Sequence, residues 1–311
     1  MSFSVFRRVA LVGGSGLLPA SYIDAFKQTG DEFNVTVLTR KESLEATKQA
    51  IAGFPHLSVR AVDYDNESDL AAALRGQEVV ISLLTPIAMH AQDAILRAAL
   101  NTESIKWVLP SEFGLDLEVP AIREIPLFAG KLATRQALKE KEGGAFAYTF
   151  IVTGSFADMF VGPLHGWDIA SRTVIVPDAG DKGTVKTSFS TRRDIAHYTV
   201  AVLRRFEQFA NKTVRVASFN ASYSDWINAI KRVRNVEFAP TFEPLDVLQG
   251  RIANAKKDPA VLDFKYIADQ LHVIMALGHG RLDVNGKRLD SDDLLEVTPT
   301  PLESVVRDIA L

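Results

Sequence analysis

Cysteine is absent from all 311 residues. With it go disulfides, thiolate nucleophiles and thiolate metal sites, which leaves an intracellular protein as the expectation. Charge of one sign is not in excess either. The 35 Lys and Arg stand against 38 Asp and Glu, a net −3, and this balance gives no footing for nucleic acid or an acidic membrane. No apolar run reaches the ~20 residues that a membrane span needs. Met1-Ser2-Phe3-Ser4-Val5-Phe6 meets Arg7-Arg8 with no signal core between them, so a cytoplasmic protein is expected. The six histidines show no metal-ligand spacing, and no metal is expected. Gly-x-Ser-x-Gly and His-Glu-x-x-His are both missing, which removes the carriers of hydrolase chemistry.

What is present is an ordinary globular composition, 47% hydrophobic and 23% charged. The length suits two domains or one large α/β unit. Its first distinctive stretch is Arg8-Val9-Ala10-Leu11-Val12 running into Gly13-Gly14-Ser15-Gly16-Leu17-Leu18. A short aliphatic run, clustered glycines and an amphipathic segment read as strand, tight turn and helix. Glycine lets a diphosphate reach the backbone, and the helix end offers unsatisfied N–H groups to it. This is a variant of the dinucleotide fingerprint, with Pro19 where a third glycine is usual. Plain strand–turn–helix connections use glycine as well.

Strands are expected at 34–39, 57–62, 78–84, 105–109 and 145–152, alternating with helical spacing after each of the first four. Such alternation predicts a Rossmann-type parallel sheet with helices on both faces, ligands lying at the carboxyl ends of its strands. The second strand ends at Arg40-Lys41 with no acid. In a dinucleotide fold a basic tip pairs with a 2′-phosphate, which favours NADP(H) over NAD(H). The alternative is a solvated basic pair opening the next helix. Asp65 or Asn66 is expected to cap the helix after the third strand. A helix over 126–142 precedes the strand at 145–152. Beyond Gly154 the rhythm changes: strands at 173–176, 185–190 and 214–217 mix with helices at 192–206, 223–233, 244–256 and 260–277. Residues 1–155 are therefore expected to form the dinucleotide-binding domain. Residues 156–311 are expected to form a smaller α/β substrate-binding domain, partly interleaved with the first.

At Leu109-Pro110-Ser111-Glu112-Phe113-Gly114 the chain resembles the isoflavone reductase-like and NmrA-like group of atypical short-chain dehydrogenases. The group includes phenylcoumaran benzylic ether reductases and fungal aromatic-compound reductases. Further matches are the glycine turn, Phe128-Ala129-Gly130-Lys131-Leu132-Ala133-Thr134-Arg135, and Tyr148-Thr149-Phe150-Ile151-Val152-Thr153-Gly154-Ser155-Phe156-Ala157. Together they span about half the chain in the family's order.

The resemblance implies that Gly13, Ser15, Gly16, Leu17 and Leu18 hold the diphosphate of NADP(H), with Arg40 and Lys41 at its 2′-phosphate. It implies Thr85 and Pro86 beside the nicotinamide ribose, Phe113 near the nicotinamide, and Ser111 and Glu112 shaping that loop. Thr153, Ser155 and Phe156 border the ring, and Lys131 matches the family's active-site lysine. Phe113, Phe156, His165 and Trp167 are the candidate substrate contacts. The Tyr-x-x-x-Lys pair of ordinary short-chain dehydrogenases is missing, because Leu127 stands four residues before Lys131. A lysine ammonium would then deliver the proton or stabilise an oxyanion, and desolvation would lower its pKa.

The expected activity is NADPH-dependent reduction of a carbonyl, conjugated alkene or benzylic carbon in a small apolar, aromatic or polycyclic compound. The rival expectations are a redox-neutral isomerase or cyclase using NADP(H), and a nucleotide-sensing regulator without catalysis. The expected partner is a small molecule, with no nucleic acid and no membrane, and the protein is expected as a monomer or homodimer.

Overall fold

The computed structural model describes residues 6–85, 90–143, 146–255, 264–284 and 288–311. The chain opens as β1 (Arg8–Val12), α1 (Leu17–Lys27), β2 (Asn34–Thr39), α2 (Leu44–Ile51), β3 (Leu57–Ala61), α3 (Glu67–Leu74) and β4 (Val79–Ser82). It continues with α4 (His90–Leu100), β5 (Trp107–Leu109), α5 (Pro120–Arg123), α6 (Ala129–Lys139) and β6 (Ala147–Val152). Then come β7 (Ser155–Phe156), β8 (Trp167–Asp168), β9 (Thr173–Asp178), β10 (Thr187–Ser190), α7 (Arg192–Leu203), α8 (Phe206–Phe209) and β11 (Lys212–Arg215). The last elements are β12 (Phe219–Ala221), α9 (Tyr223–Arg234), β13 (Ala239–Pro244), α10 (Leu245–Ala255), α11 (Phe264–Ala276) and α12 (Leu302–Asp308).

Among the described residues the main sheet has seven strands in the order β11-β6-β5-β4-β1-β2-β3, every pair parallel. The expected Rossmann-type architecture is borne out. Its strands read as near-continuous apolar runs because helices cover both faces. Alternation along each strand divides the side chains between two cores. Val9, Leu11, Val35, Val37 and Ile81 face α1 and α7, whereas Ala10, Val12, Leu38 and Val80 face α3 and α4. Since β1 pairs with both β2 and β4, the strand order reverses there, and a crevice opens at their carboxyl ends.

The sequence expectation divides the chain after residue 155 with partial interleaving of the second part; α7 and β11, beyond that point, build onto the first core. Tyr22 of α1 and Thr199 of α7 share a buried hydrogen bond of 2.7 Å, which fixes that return. Two three-stranded sheets, β12-β10-β7 and β13-β9-β8, make the smaller unit. Its core gathers Phe160, Trp167, Phe189, Tyr223 and Trp226.

Asn66 caps α3 by accepting from the Asp69 N–H, one of the two caps expected. The strand expected at 214–217 sits two residues earlier, at Lys212–Arg215. Its pairing with β6 begins opposite Thr149, so sheet register overrides the apolar pattern. The expected starts at residues 88, 145 and 260 and the expected end at 256 lie outside the described residues.

Candidate active site

The three glycines of the first turn do three different jobs. Gly13 has φ +99°, and a Cβ there would meet the Leu83 carbonyl at 3.3 Å. At Gly14 a Cβ would lie 2.6 Å from Val37 Cγ1, so the turn rests directly on β2. Sequence reasoning passed Gly14 over. Gly16 has φ +110° and nothing but Pro19 Cδ, at 3.9 Å, near the position of a Cβ, so its bare backbone faces open space. The N–H groups of Gly13 and Gly14 both donate to the Leu38 carbonyl, at 3.1 Å each. Tyr64, another residue the sequence did not single out, bolts this turn: its hydroxyl accepts from the Gly13 N–H and donates to the Leu38 carbonyl. Burial pushes its phenol up to about 12.

Behind the turn, α1 begins with no acidic residue and no side-chain cap. A helix start leaves its first N–H groups without intrahelical partners, and Pro19, third in the helix, has none to lose. A cleft of about 720 Å³ lies in front, lined by Gly13, Ser15, Arg40, Lys41, Tyr64 and Thr85 among others. Leu17 is exposed and Leu18 half-buried. Among the described residues Arg40 pairs with Glu42, at 3.4 Å, in an ion pair exposed on both sides, and such pairs contribute little. Pro86 lies outside the described residues. Open glycine backbone, a free positive helix end and a basic rim are the donor set that a phosphorylated dinucleotide needs, and the residues present fit it.

The loops after β4, β5 and β6 converge beside this cleft. Ser111 donates its hydroxyl to the Leu84 carbonyl at 2.6 Å. The N–H groups of Thr153 and Gly154 both donate to the Gly114 carbonyl at 3.0 Å. Ser155 and Phe156 then enter β7 beside β10. Phe113 packs edge-on to Tyr22 of α1, with ring centroids 5.7 Å apart.

Lys131, one turn into α6, is 7% exposed and donates from Nζ to the Glu112 carbonyl at 3.0 Å. Arg135, one turn further, donates from Nε and Nη2 to Glu112 Oε2 at 2.8 and 2.6 Å. Burial holds the Lys131 ammonium below its ordinary pKa; the Glu112 carboxylate opposes that shift and Arg135 adds to it. The Phe128 ring lies 6.0 Å from Nζ. Phe128 also packs with Ile125 and Ile274, which line a cleft of about 380 Å³ between residues 121–125 and helices α10 and α11.

A model of the NmrA-like family matches residues 6–281 of a chain built this way. The chain belongs to the NmrA-like family. Oxidoreductase aprR of Aspergillus flavus is 26% identical to it over 235 residues, 74% of this chain and 75% of that one. Phenylcoumaran benzylic ether reductase TP7 of Nicotiana tabacum is 28% identical over 247 residues, 75% of this chain and 78% of that one. A solved structure of AtPrR2 with NADP+ and (+)-pinoresinol shares the fold, with a TM-score of 0.77 at 21% identity over 99% of this chain and 100% of that one. The resemblance carried by the Pro-Ser-Glu-Phe-Gly segment is thus borne out.

In this NmrA-like protein His165 and Trp167 lie in the core of the smaller unit. Trp167 is 2% exposed, stacked on Tyr223 and edge-on to Phe238. His165 lies against Phe160, and burial with His272 nearby pushes its imidazole down to about 3. Neither lines the large cleft. A Gly-rich loop with an indole suggested a pocket wall; the turn at Gly166, φ +77°, instead folds that loop inward. Among the described residues one group has metal-ligand proximity, Glu243, Asp269 and His272. Arg251 pairs with both carboxylates, and its guanidinium takes the place a cation would fill. No helix in the described residues is long and apolar enough to cross a membrane.

Proposed function

We propose that the protein is an NADPH-dependent reductase of a small, apolar, aromatic or polycyclic compound, with Lys131 as proton donor. The observation that carries this reading is a buried lysine beside the loops that close the glycine-turn cleft. NADPH, when bound, supplies hydride to a carbonyl, conjugated alkene or benzylic carbon. Gly13, Ser15, Gly16, Leu17 and Leu18 would hold its diphosphate, Arg40 and Lys41 its 2′-phosphate, and Thr85, Pro86, Ser111, Thr153, Ser155 and Phe156 the nicotinamide end. Phe113, packed on Tyr22, stiffens the floor of that end, and Phe156 borders the substrate. Lys131 gives its proton to the oxygen or carbon on which negative charge collects. The lowered pKa of the ammonium eases the departure of its proton. The cleft beside Ile125 and Ile274 mixes aliphatic side chains with Glu124, Gln249, Gln270 and His279, a lining that would take an apolar ligand bearing a few polar groups. Support also comes from the relatives, a benzylic ether reductase among them, and from the NADP+ complex that shares the fold.

The test is a panel of aromatic carbonyl and alkene compounds with purified protein and NADPH, followed at the reduced-nicotinamide absorbance. Substrate-dependent loss of the band is expected, and Lys131→Met should abolish turnover while NADPH affinity stays within about twofold. Product formed at constant absorbance would establish redox-neutral chemistry instead. Full turnover in Lys131→Met would remove the lysine from the mechanism.

A further inference from the structure

Two cations and one carboxylate share the buried ground between α6 and the loop after β5. Lys131 and Arg135 stand four residues apart on α6 and so project from the same face. Both reach Glu112, but at different atoms. Arg135 takes the side chain, with Nε and Nη2 converging on Oε2, while Lys131 takes only the backbone carbonyl. Glu112 is 1% exposed, Arg135 5% and Lys131 7%, so water screens none of these charges. Glu112 Oε1 is buried without a hydrogen-bond partner among the described residues, and would be the natural seat for an ammonium. The guanidinium is itself fixed from its other side, its centre 4.7 Å from the Phe150 ring of β6.

The two partners differ in one chemical respect. An arginine keeps its charge at every pH a protein survives, whereas a lysine can release its proton. A carboxylate matched by arginine therefore stays matched throughout a catalytic cycle. One matched by the lysine would bind that proton more tightly and strand a bare buried charge once it left.

We propose that Arg135 is a positioning residue for the proton donor: by holding the Glu112 carboxylate at Oε2 it leaves the Lys131 ammonium tied only to a neutral carbonyl, from which its proton can depart. The two charged groups that act on Lys131, Glu112 from the loop after β5 and Arg135 from its own helix, pull its titration in opposite directions. The proposal rests on Lys131 being the proton donor, but the test does not need turnover.

The experiment is an NMR titration of the full chain carrying ε-13C lysine, with the Lys131 signal assigned by its loss in Lys131→Met. Arg135→Met should raise the Lys131 midpoint by about 1–3 pH units, the range for an opposite charge set free within a few ångströms. Glu112→Gln should lower it, and the double variant Arg135→Met/Glu112→Gln should return it close to the parent value. Arg135→Lys keeps the charge without the two-point grip and should give an intermediate rise, which keeps the test alive if Arg135→Met fails to fold. An unchanged midpoint in either Arg135 variant would overturn the proposal. So would a double variant that stays as high as Arg135→Met alone. Variants that shift as described, in a protein whose parent form turns over no compound, would refute the reductase reading and leave this charge arrangement standing.

Discussion

At the scale of single residues, the glycine turn shows that neighbouring glycines answer to different physics. Gly14→Ala places a methyl 2.6 Å from Val37 Cγ1, closer than real carbon contacts come. We expect it to lower stability by about 1–3 kcal/mol, the usual cost of overpacking, as a shift of the urea midpoint. Gly16→Ala has no such neighbour, so its folding cost is confined to the φ of +110°. Its larger effect should be on NADPH affinity, measured by fluorescence titration, because the methyl enters the space before α1. The cluster itself was legible in the sequence, as the strand before it and the helix after it show. The division of labour was not, since the approach of Gly14 to Val37 depends on the register of β1 against β2. The place of Arg40 on the cleft rim was legible for a simpler reason: it directly follows a strand whose tip carries no acid. Arg40→Ala should weaken NADPH roughly ten- to a hundredfold, the worth of one charge-assisted contact, and leave NADH almost unchanged. Equal losses for the two nucleotides would take Arg40 off the 2′-phosphate.

At the scale of elements, most strands and helices of the parallel sheet were legible as apolar runs alternating with helical spacing, many of them bounded by glycine, proline or a cap. The short pieces β7, β8 and β12 have two or three residues and carry no period at all. Pro240 and Pro244 hid β13, which is tolerated as an edge strand beside β9. Less legible still was the return of α7 to the first sheet. It follows from a face of Ile195, Tyr198, Val202 and their neighbours that finds its complement on α1 and the rest of the first core. The buried hydroxyl pair of Tyr22 and Thr199 pins that contact. Thr199 also donates to the Ile195 carbonyl, so its hydroxyl is not orphaned when its partner goes. Tyr22→Phe should therefore cost only about 1 kcal/mol. In a cycle with Thr199→Val, the combined loss should be smaller than the sum of the two single losses. Strict additivity would mean that the bond contributes nothing to holding α7 in place.

At the scale of the whole molecule, the two units differ in what they bury, and acid should find the difference. The smaller unit holds His165 and His272, 6% and 4% exposed. Burial pushes their imidazoles down to about 3 and about 4, although Asp269 and Glu243 draw His272 partly back. In the unfolded chain each imidazole takes up a proton near pH 6.5. Above that pH neither form binds the proton, and these groups give stability no slope. Between pH 6.5 and about 4 the unfolded chain binds protons that the folded one refuses, so stability falls as pH falls. Each histidine removes about 1.4 kcal/mol per pH unit in that window, and the loss levels off below the folded-state values. Trp167 and Trp226 sit in the same core and Trp107 in the other, so tryptophan emission weights the acid-sensitive unit. Urea midpoints read by that emission should drop steadily from pH 6.5 to pH 4.5 and stay flat from pH 6.5 to pH 8. The double variant His165→Gln/His272→Gln should lose most of the acid slope whatever its stability at pH 7.5. If the slope survives in that variant, the protons responsible are taken up elsewhere, and the paired imidazoles are only packing.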